Sequence, residues 1–321
     1  MALVLLMVLP SVPPFQLLVP LDRVFSILAP ALAACAVVGW RSGGRLPLAI
    51  GWTAIGGWVI WTTVGSGGSF ALLAGGWSVL LAASFGGVLL SGWGERFLPR
   101  ALLAIGIALA IGGLAVLAAG GGPTSTLAVF TEELTRRTEL ARAAWIEFSG
   151  TTQWAAFAES SSANAARLTE GMELQFRVLP QTGRLLLPAM LALESLMVLA
   201  LSWALYHRFG RARLGPPLAA LREMRFHDGF VWGIIAGLVV VVLPVPAAVF
   251  ALGMNLLVFS GVLYALRGLG VMLWFLSPGR WTMVLLTIVL VLFPHIVGVV
   301  AAGIGLGDTW LDWRRRPRPK S

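Results

Sequence analysis

Apolar residues fill this chain in long blocks, at 2–20, 24–40, 46–64, 69–92, 99–120, 183–206, 228–248, 250–276 and 281–306, with short polar connections between most of them. A helix rises ~1.5 Å per residue, so a block of about 20 residues matches the ~30 Å hydrocarbon layer of a bilayer. The pattern predicts an all-α fold, a polytopic transmembrane helical bundle with about 8–9 membrane segments. The first block holds Pro10, Pro13, Pro14 and Pro20, which predicts a broken or re-entrant segment rather than a regular helix.

The periodicity changes at 121–182, where acidic residues and arginines interrupt the apolar pattern. Leu127, Phe130, Leu134, Ala141, Trp145 and Phe148 recur at three- and four-residue steps, and Glu132–Arg136 and Glu133–Arg137 are spaced for i,i+4 pairing. A second amphipathic stretch covers 164–179, after Ser160-Ser161-Ser162. Together they predict an extramembrane amphipathic helical hairpin lying on the bilayer surface. The expected organisation is N-terminal transmembrane segments at 1–120, the extracytoplasmic insertion at 121–182, C-terminal transmembrane segments at 183–306 and a basic tail at 307–321. In the 207–227 connection, Pro216-Pro217 predicts the start of a short helix through Leu218, Leu221 and Met224.

Basic connections stay on the cytoplasmic side, and Arg41/Arg45, Arg96/Arg100 and the arginines of 207–227 fall on one side under strict alternation. The tail, Arg314-Arg315-Arg316-Pro317-Arg318-Pro319-Lys320, then falls on the other. Pro294 divides 281–306 into halves too short to span, so the expectation is that this block does not cross and that the tail is cytoplasmic.

Composition narrows the class. Hydrophobic residues make up 58% of the 321 and charged residues 12%, with a mean hydropathy of +0.87; soluble domains carry about 25% charged residues. The formal charge of +9 comes almost wholly from arginines near the ends of apolar blocks, which points to topology and anionic lipid headgroups and away from nucleic acid. Leu32-Ala33-Ala34-Cys35 resembles a lipoprotein processing box, but the apolar run continues past the cysteine, so Cys35 is expected inside a buried helix. With Lys320 the only lysine, no GxxxxGK phosphate loop can form, and His207, His227 and His295 form no HExxH. No enzyme activity, catalytic residue, metal or cofactor is expected.

Candidate ligand-binding residues are the polar ones inside apolar blocks. A carboxylate at the bilayer midplane costs at least ~2.5 kcal/mol, so Glu194 in Leu191–Leu201 calls for a partner, a proton or a water-filled cavity. Arg267 and His295 are the possible partners, and convergence of the three would make a proton-linked or anion-coordinating site. A structural hydrogen bond for Glu194 and an interfacial Arg267 are equally compatible with the pattern. Asn255 and Ser260 could hold a solute or join helices. Trp58, Trp61 and Trp77 flank a glycine-rich turn and could line a cavity mouth or anchor the interface. Asp308 and Asp312 stand at i,i+4, where two carboxylates can share a helix face, as a Mg²⁺ site or as a neutralised interfacial end. The glycines of 233–237 and 303–307 allow close helix contact.

Asn255, Leu263-Tyr264, Gly268-Leu269, Leu306-Gly307-Asp308 and Trp313-Arg314 make the last third, about 183–316, resemble the YybS-like family of uncharacterised bacterial integral membrane proteins. Where that pattern places a glutamine before the helix glycine, this chain has Arg267. The resemblance implies a multi-pass protein of the bacterial cytoplasmic membrane. It also implies a helix layout similar to the substrate-binding components of energy-coupling-factor transporters, which work with coupling and ATPase subunits and a small-molecule solute. Two functions follow as expectations: a solute-binding transporter component with Glu194, Asn255, Arg267 and His295 as its candidate binding residues, or a non-transporting scaffold or regulator that recruits partners through the outer hairpin and the basic loops.

Overall fold

The computed structural model describes residues 21–118, 122–277 and 279–315. The block at 2–20 and the tail beyond residue 315 lie outside the described residues. All regular structure among the described residues is helical: α1 (Leu21–Arg41), α2 (Leu46–Gly65), α3 (Ser69–Leu90), α4 (Phe97–Ala118), α5 (Gly122–Ser149), α6 (Thr152–Ser160), α7 (Ser162–Phe209), α8 (Val231–Val242), α9 (Ala247–Leu276), α10 (Arg280–Leu292) and α11 (Pro294–Leu311).

Six of these helices, α1, α2, α3, α4, α7 and α9, are long and apolar enough to cross a membrane, and the bent pair α10 and α11 raises the number to seven. The expected eight or nine segments included the block at 2–20, which lies outside the described residues; among the described blocks, two depart from a single straight span. Leu243-Pro244-Val245-Pro246 stops α8 after 12 residues, about 18 Å and too short to span. Pro294 opens a new helix at a 110° bend, so 281–306 is two helices rather than one.

The insertion also departs from its expected form. Its first arm is α5, but its second arm is the start of the 48-residue α7, which runs on into the apolar block as one helix about 72 Å long. The second arm is therefore continuous with the span that follows it, and Arg142 of α5 reaches Glu173 of α7 at 3.0 Å. Within α5, Glu133 takes both arginines, Arg136 at 2.8 Å and Arg137 at 2.6 Å, so the Glu132–Arg136 pairing does not occur. In the connection after α7, the expected helix from Pro216 is reduced to a single 3₁₀ turn at Leu221–Glu223.

The chain divides into two compact units, Met1–Leu185 with Glu194–Gly215, and Leu186–Leu193 with Pro216–Ser321. In the first, α1 packs on α2 and α3, and α3 packs on α4. Cys35 is fully buried in α1, and Trp203 of α7 is enclosed by Phe85 of α3 and Phe97 of α4. In the second, α9 packs on α8 and α11. The α9–α11 crossing is made by glycines: a Cβ at Gly268 would strike the Ala301 carbonyl, and one at Gly305 the Tyr264 carbonyl. Two backbones this close exclude any larger residue at either position. Large apolar side chains remain exposed along the spans, among them Trp61 at 78%, Leu252 at 70% and Val299 at 74%, as a lipid-facing surface requires.

Candidate functional site

The most strongly charged buried group in the second unit centres on Arg267, two-thirds of the way along α9. Its Nε donates to Asp308 Oδ2 at 2.9 Å, its Nη2 to the Asp308 carbonyl at 3.3 Å and its Nη1 to Asp228 Oδ1 at 2.8 Å. Arg314 donates to the same Asp308 oxygen at 2.6 Å and to the Met224 carbonyl at 2.8 Å. The Arg267 guanidinium lies 5.4 Å from the Phe226 ring, which also packs edge-on against Tyr264. Two guanidiniums and two carboxylates make the group neutral, a condition for burying such charges in a low-dielectric interior. Asp308 Oδ1 and Arg314 Nε have no hydrogen-bond partner among the described residues.

The local sequence explains the placement. The Gly268/Gly305 contact brings α9 and α11 together next to Arg267 and one turn from Asp308, so the long arginine side chain reaches across. Past Leu311, Asp312 adopts a left-handed conformation with φ of 37°, reversing the chain so that Arg314 folds back under Asp308. Asp312 itself faces Arg225 at 3.3 Å. The two aspartates therefore serve different partners and do not form a shared metal face. No group of three or more metal-ligating side chains occurs among the described residues.

These bonds also place the chain after α11. Arg314 and Asp312 are tied to the 222–228 segment, so the start of the basic tail and that connection lie on the same side of any bilayer the unit spans.

Within the second unit, Asn255 and His295 do not meet Arg267. Asn255 sits 12 residues before Arg267 on α9, about 18 Å along the axis. Its Oδ1 accepts from the Ala189 amide at 2.8 Å, beside Pro188, which has no amide of its own, and its Nδ2 donates to the Ala251 carbonyl. That is the helix-joining role. His295 is exposed at the start of α11, 13 residues and about 20 Å from Asp308. Glu194 is half-buried in α7 and belongs to the first unit. Sequence reasoning missed Asp228 and Asp308 as the partners of Arg267, and Arg314 as the second partner of Asp308. Asp308 and Arg314 stand among the residues that prompted the resemblance, whereas nothing in the sequence pattern singled out Asp228.

A second buried arginine organises the first unit. Arg100, near the start of α4 and 6% exposed, donates to the carbonyls of Trp93, Gly94 and Leu214, the last at 2.6 Å. Tyr206 lies against Gly39 and donates to the Ala212 carbonyl at 3.1 Å, and His207 approaches the Gly215 carbonyl at 3.1 Å. The ends of α1 and α7 and the start of α4 are thereby gathered, and with them the exposed Arg41, Arg96, Arg208, Arg211 and Arg213. Trp77, one of the possible cavity-mouth residues, instead donates its Nε1 to Ser195 Oγ at 3.1 Å.

An open cavity of about 830 Å³ lies elsewhere in this unit, between the α2–α3 turn and α5, lined by Thr62, Thr63, Ser66, Phe70, Glu132 and Arg137 among others. Outside the spans, hydrogen bonds from Arg136 and Arg137 pull the Glu133 carboxyl from its usual 4.5 to about 2.

Comparison with curated proteins and with solved structures gives no match. The profile of a family described as "Predicted membrane protein (DUF2232)" matches residues 4–309, nearly the whole length, and the chain belongs to that family.

Proposed function

We propose that the chain is a non-enzymatic, multi-pass scaffold or regulator of the bacterial cytoplasmic membrane, recruiting an acidic partner through the exposed arginines at the α1, α4 and α7 ends. The observation that carries this reading is the bonding of Arg267: all three of its nitrogens donate within the chain, to Asp308 and Asp228. A guanidinium so engaged braces helices and a connection; it does not offer a vacant cradle for a transported anion. Arg100 braces its own connections in the same way. Rigid connections carrying Arg208, Arg211 and Arg213 present charge at low entropic cost to a partner.

A second reading keeps the solute-binding transporter component, similar in layout to energy-coupling-factor substrate-binding proteins and working with coupling and ATPase subunits. It is favoured by the cavity at the α2–α3 turn, not by Glu194, Asn255, Arg267 and His295.

The test places a photo-crosslinking residue at Arg211 or Arg213 of the full chain in its native membrane, with Trp281 as a lipid-facing control. Scaffolding requires the same polypeptide from both arginine positions and none from the control, with capture abolished by Arg208→Glu. Only lipid adducts from all three sites would remove the reading. One specific small molecule retained through gentle purification, read by mass spectrometry, would favour the transporter component instead.

A further inference from the structure

The cavity at the α2–α3 turn carries opposite chemistries on its two sides. Thr62 and Thr63 donate their hydroxyl protons to the Val59 carbonyl, at 3.0 and 2.8 Å, and Ser66 donates to the Thr63 carbonyl at 2.6 Å. With their protons committed, the three hydroxyl oxygens of these lining residues keep lone pairs as acceptors. Glu132 adds a carboxylate that no other described residue engages. This side calls for a ligand group that donates several hydrogen bonds and carries positive charge.

The other side is cationic. Arg137 gives its Nε to Glu133 and lies 5.8 Å over the Phe70 ring, which leaves both terminal nitrogens available toward the cavity. Arg136, by contrast, commits Nε and Nη2 to Glu133. Phe70 lies in the first turn of α3, whose first amides have no side-chain cap, so the helix end adds to the positive potential around Arg137. Phe70, Val59, Ala71 and Ala74 supply an apolar floor.

We infer that this cavity binds the zwitterionic headgroup of a lipid with a phosphate and a primary ammonium. The phosphate lies against Arg137, and the ammonium against Glu132 and the three hydroxyl oxygens. Three observations select that ligand. The unclaimed charges are one positive and one negative, which suits a zwitterion over an anion. The acceptor oxygens need N–H donors, which a primary ammonium has and a quaternary one lacks; Phe70, the aromatic residue of the lining, is already covered by Arg137. Finally, the cavity opens where two spans end, at the level of headgroups, beside the exposed Trp58 and Trp61 of α2.

The experiment measures lipids retained by the full chain in detergent, using native mass spectrometry with equimolar phosphatidylethanolamine, phosphatidylcholine and phosphatidylglycerol. Phosphatidylethanolamine is expected to be retained about tenfold over either competitor, the effect of one charge-assisted contact. Glu132→Gln disturbs no bond of the fold and is expected to abolish the preference over phosphatidylcholine. Arg137→Gln is expected to lower retention, and Arg142→Gln, outside the cavity, to change nothing. Displacement by free phosphoethanolamine would show that the headgroup alone is read; its failure beside retained lipid would show that the acyl chains contribute. Equal retention of the three lipids, or an unchanged preference in Glu132→Gln, overturns the inference.

Discussion

Arg267 on α9 donates to Asp308 on α11 at 2.9 Å, with their side chains 6% and 1% exposed, and this pair ties two helices to the connection that precedes α8. The same carboxylate also serves Arg314. A buried ion pair of this kind specifies an arrangement more than it adds stability, but breaking it leaves a charge without compensation.

Loss of Asp308 therefore costs most. Asp308→Asn leaves two buried guanidiniums without their shared anion and is expected to destabilise by about 3–5 kcal/mol. Arg314→Gln costs less, because Arg267 still compensates the carboxylate. Thermal unfolding of the purified variants in one detergent checks the order; equal effects would contradict it.

The glycine crossing makes a sharper contrast. Gly305→Ala or Gly268→Ala forces α9 and α11 apart and is expected to cost at least about 1–3 kcal/mol. Gly303→Ala, two residues away with open space around its Cα, is expected to be neutral or slightly stabilising. Melting temperatures of the three variants decide this.

Asn255→Ala removes one interhelical hydrogen bond, a loss of about 0.6 kcal/mol on average and at most about 1.7. A stability change in that range, with retained lipids unaffected, fits a helix-joining side chain. A change in any co-purifying small molecule would restore Asn255 as a ligand residue.

For Glu133 the folded carboxyl titrates at about 2 against an ordinary 4.5, held down by Arg136 first and by Arg137. A depressed acid stabilises above its unfolded pKa and loses that contribution as pH falls toward the folded value. Protection factors across α5, which divide out the intrinsic pH dependence of amide exchange, are expected to be constant above about pH 5 and to fall between 4.5 and about 2. In Glu133→Gln this acid-dependent step disappears.

Sidedness is open to cysteine labelling, because Cys35 is fully buried and is the only cysteine. In a Cys35→Ala background, Glu223→Cys and Asp312→Cys are expected to react with a membrane-impermeant maleimide from the same side of oriented vesicles. Reaction from opposite sides would contradict the Arg225–Asp312 and Arg314–Met224 contacts.

Membrane residence and the placement of α1 to α4 were legible in the order of residues, because a block of about 20 apolar side chains has few alternatives to a spanning helix. The halved α10 and α11 were legible too, through Pro294. The short α8 was not: proline at 244 and 246 shows where a helix stops, but not that the apolar residues before it make only 12 helical positions. Nor was the fusion of the amphipathic stretch at 164–179 with the block at 183–206. No local signal forbids a helix from crossing the water–lipid boundary, and Pro180 and Pro188 do not end α7.

Local order alone thus determined solvent, helix class and the pool of ionisable residues. Which of those residues meet was decided by tertiary structure. Asp308 and Asp312 look equivalent at i,i+4 until Asp312 leaves the helix with φ of 37° and the Gly268/Gly305 contact draws Arg267 within reach of Asp308 alone. The physical reason is range: periodicity reports neighbours within a turn or two, whereas pairing Arg267 with a carboxylate 41 positions away depends on two backbones close enough to touch.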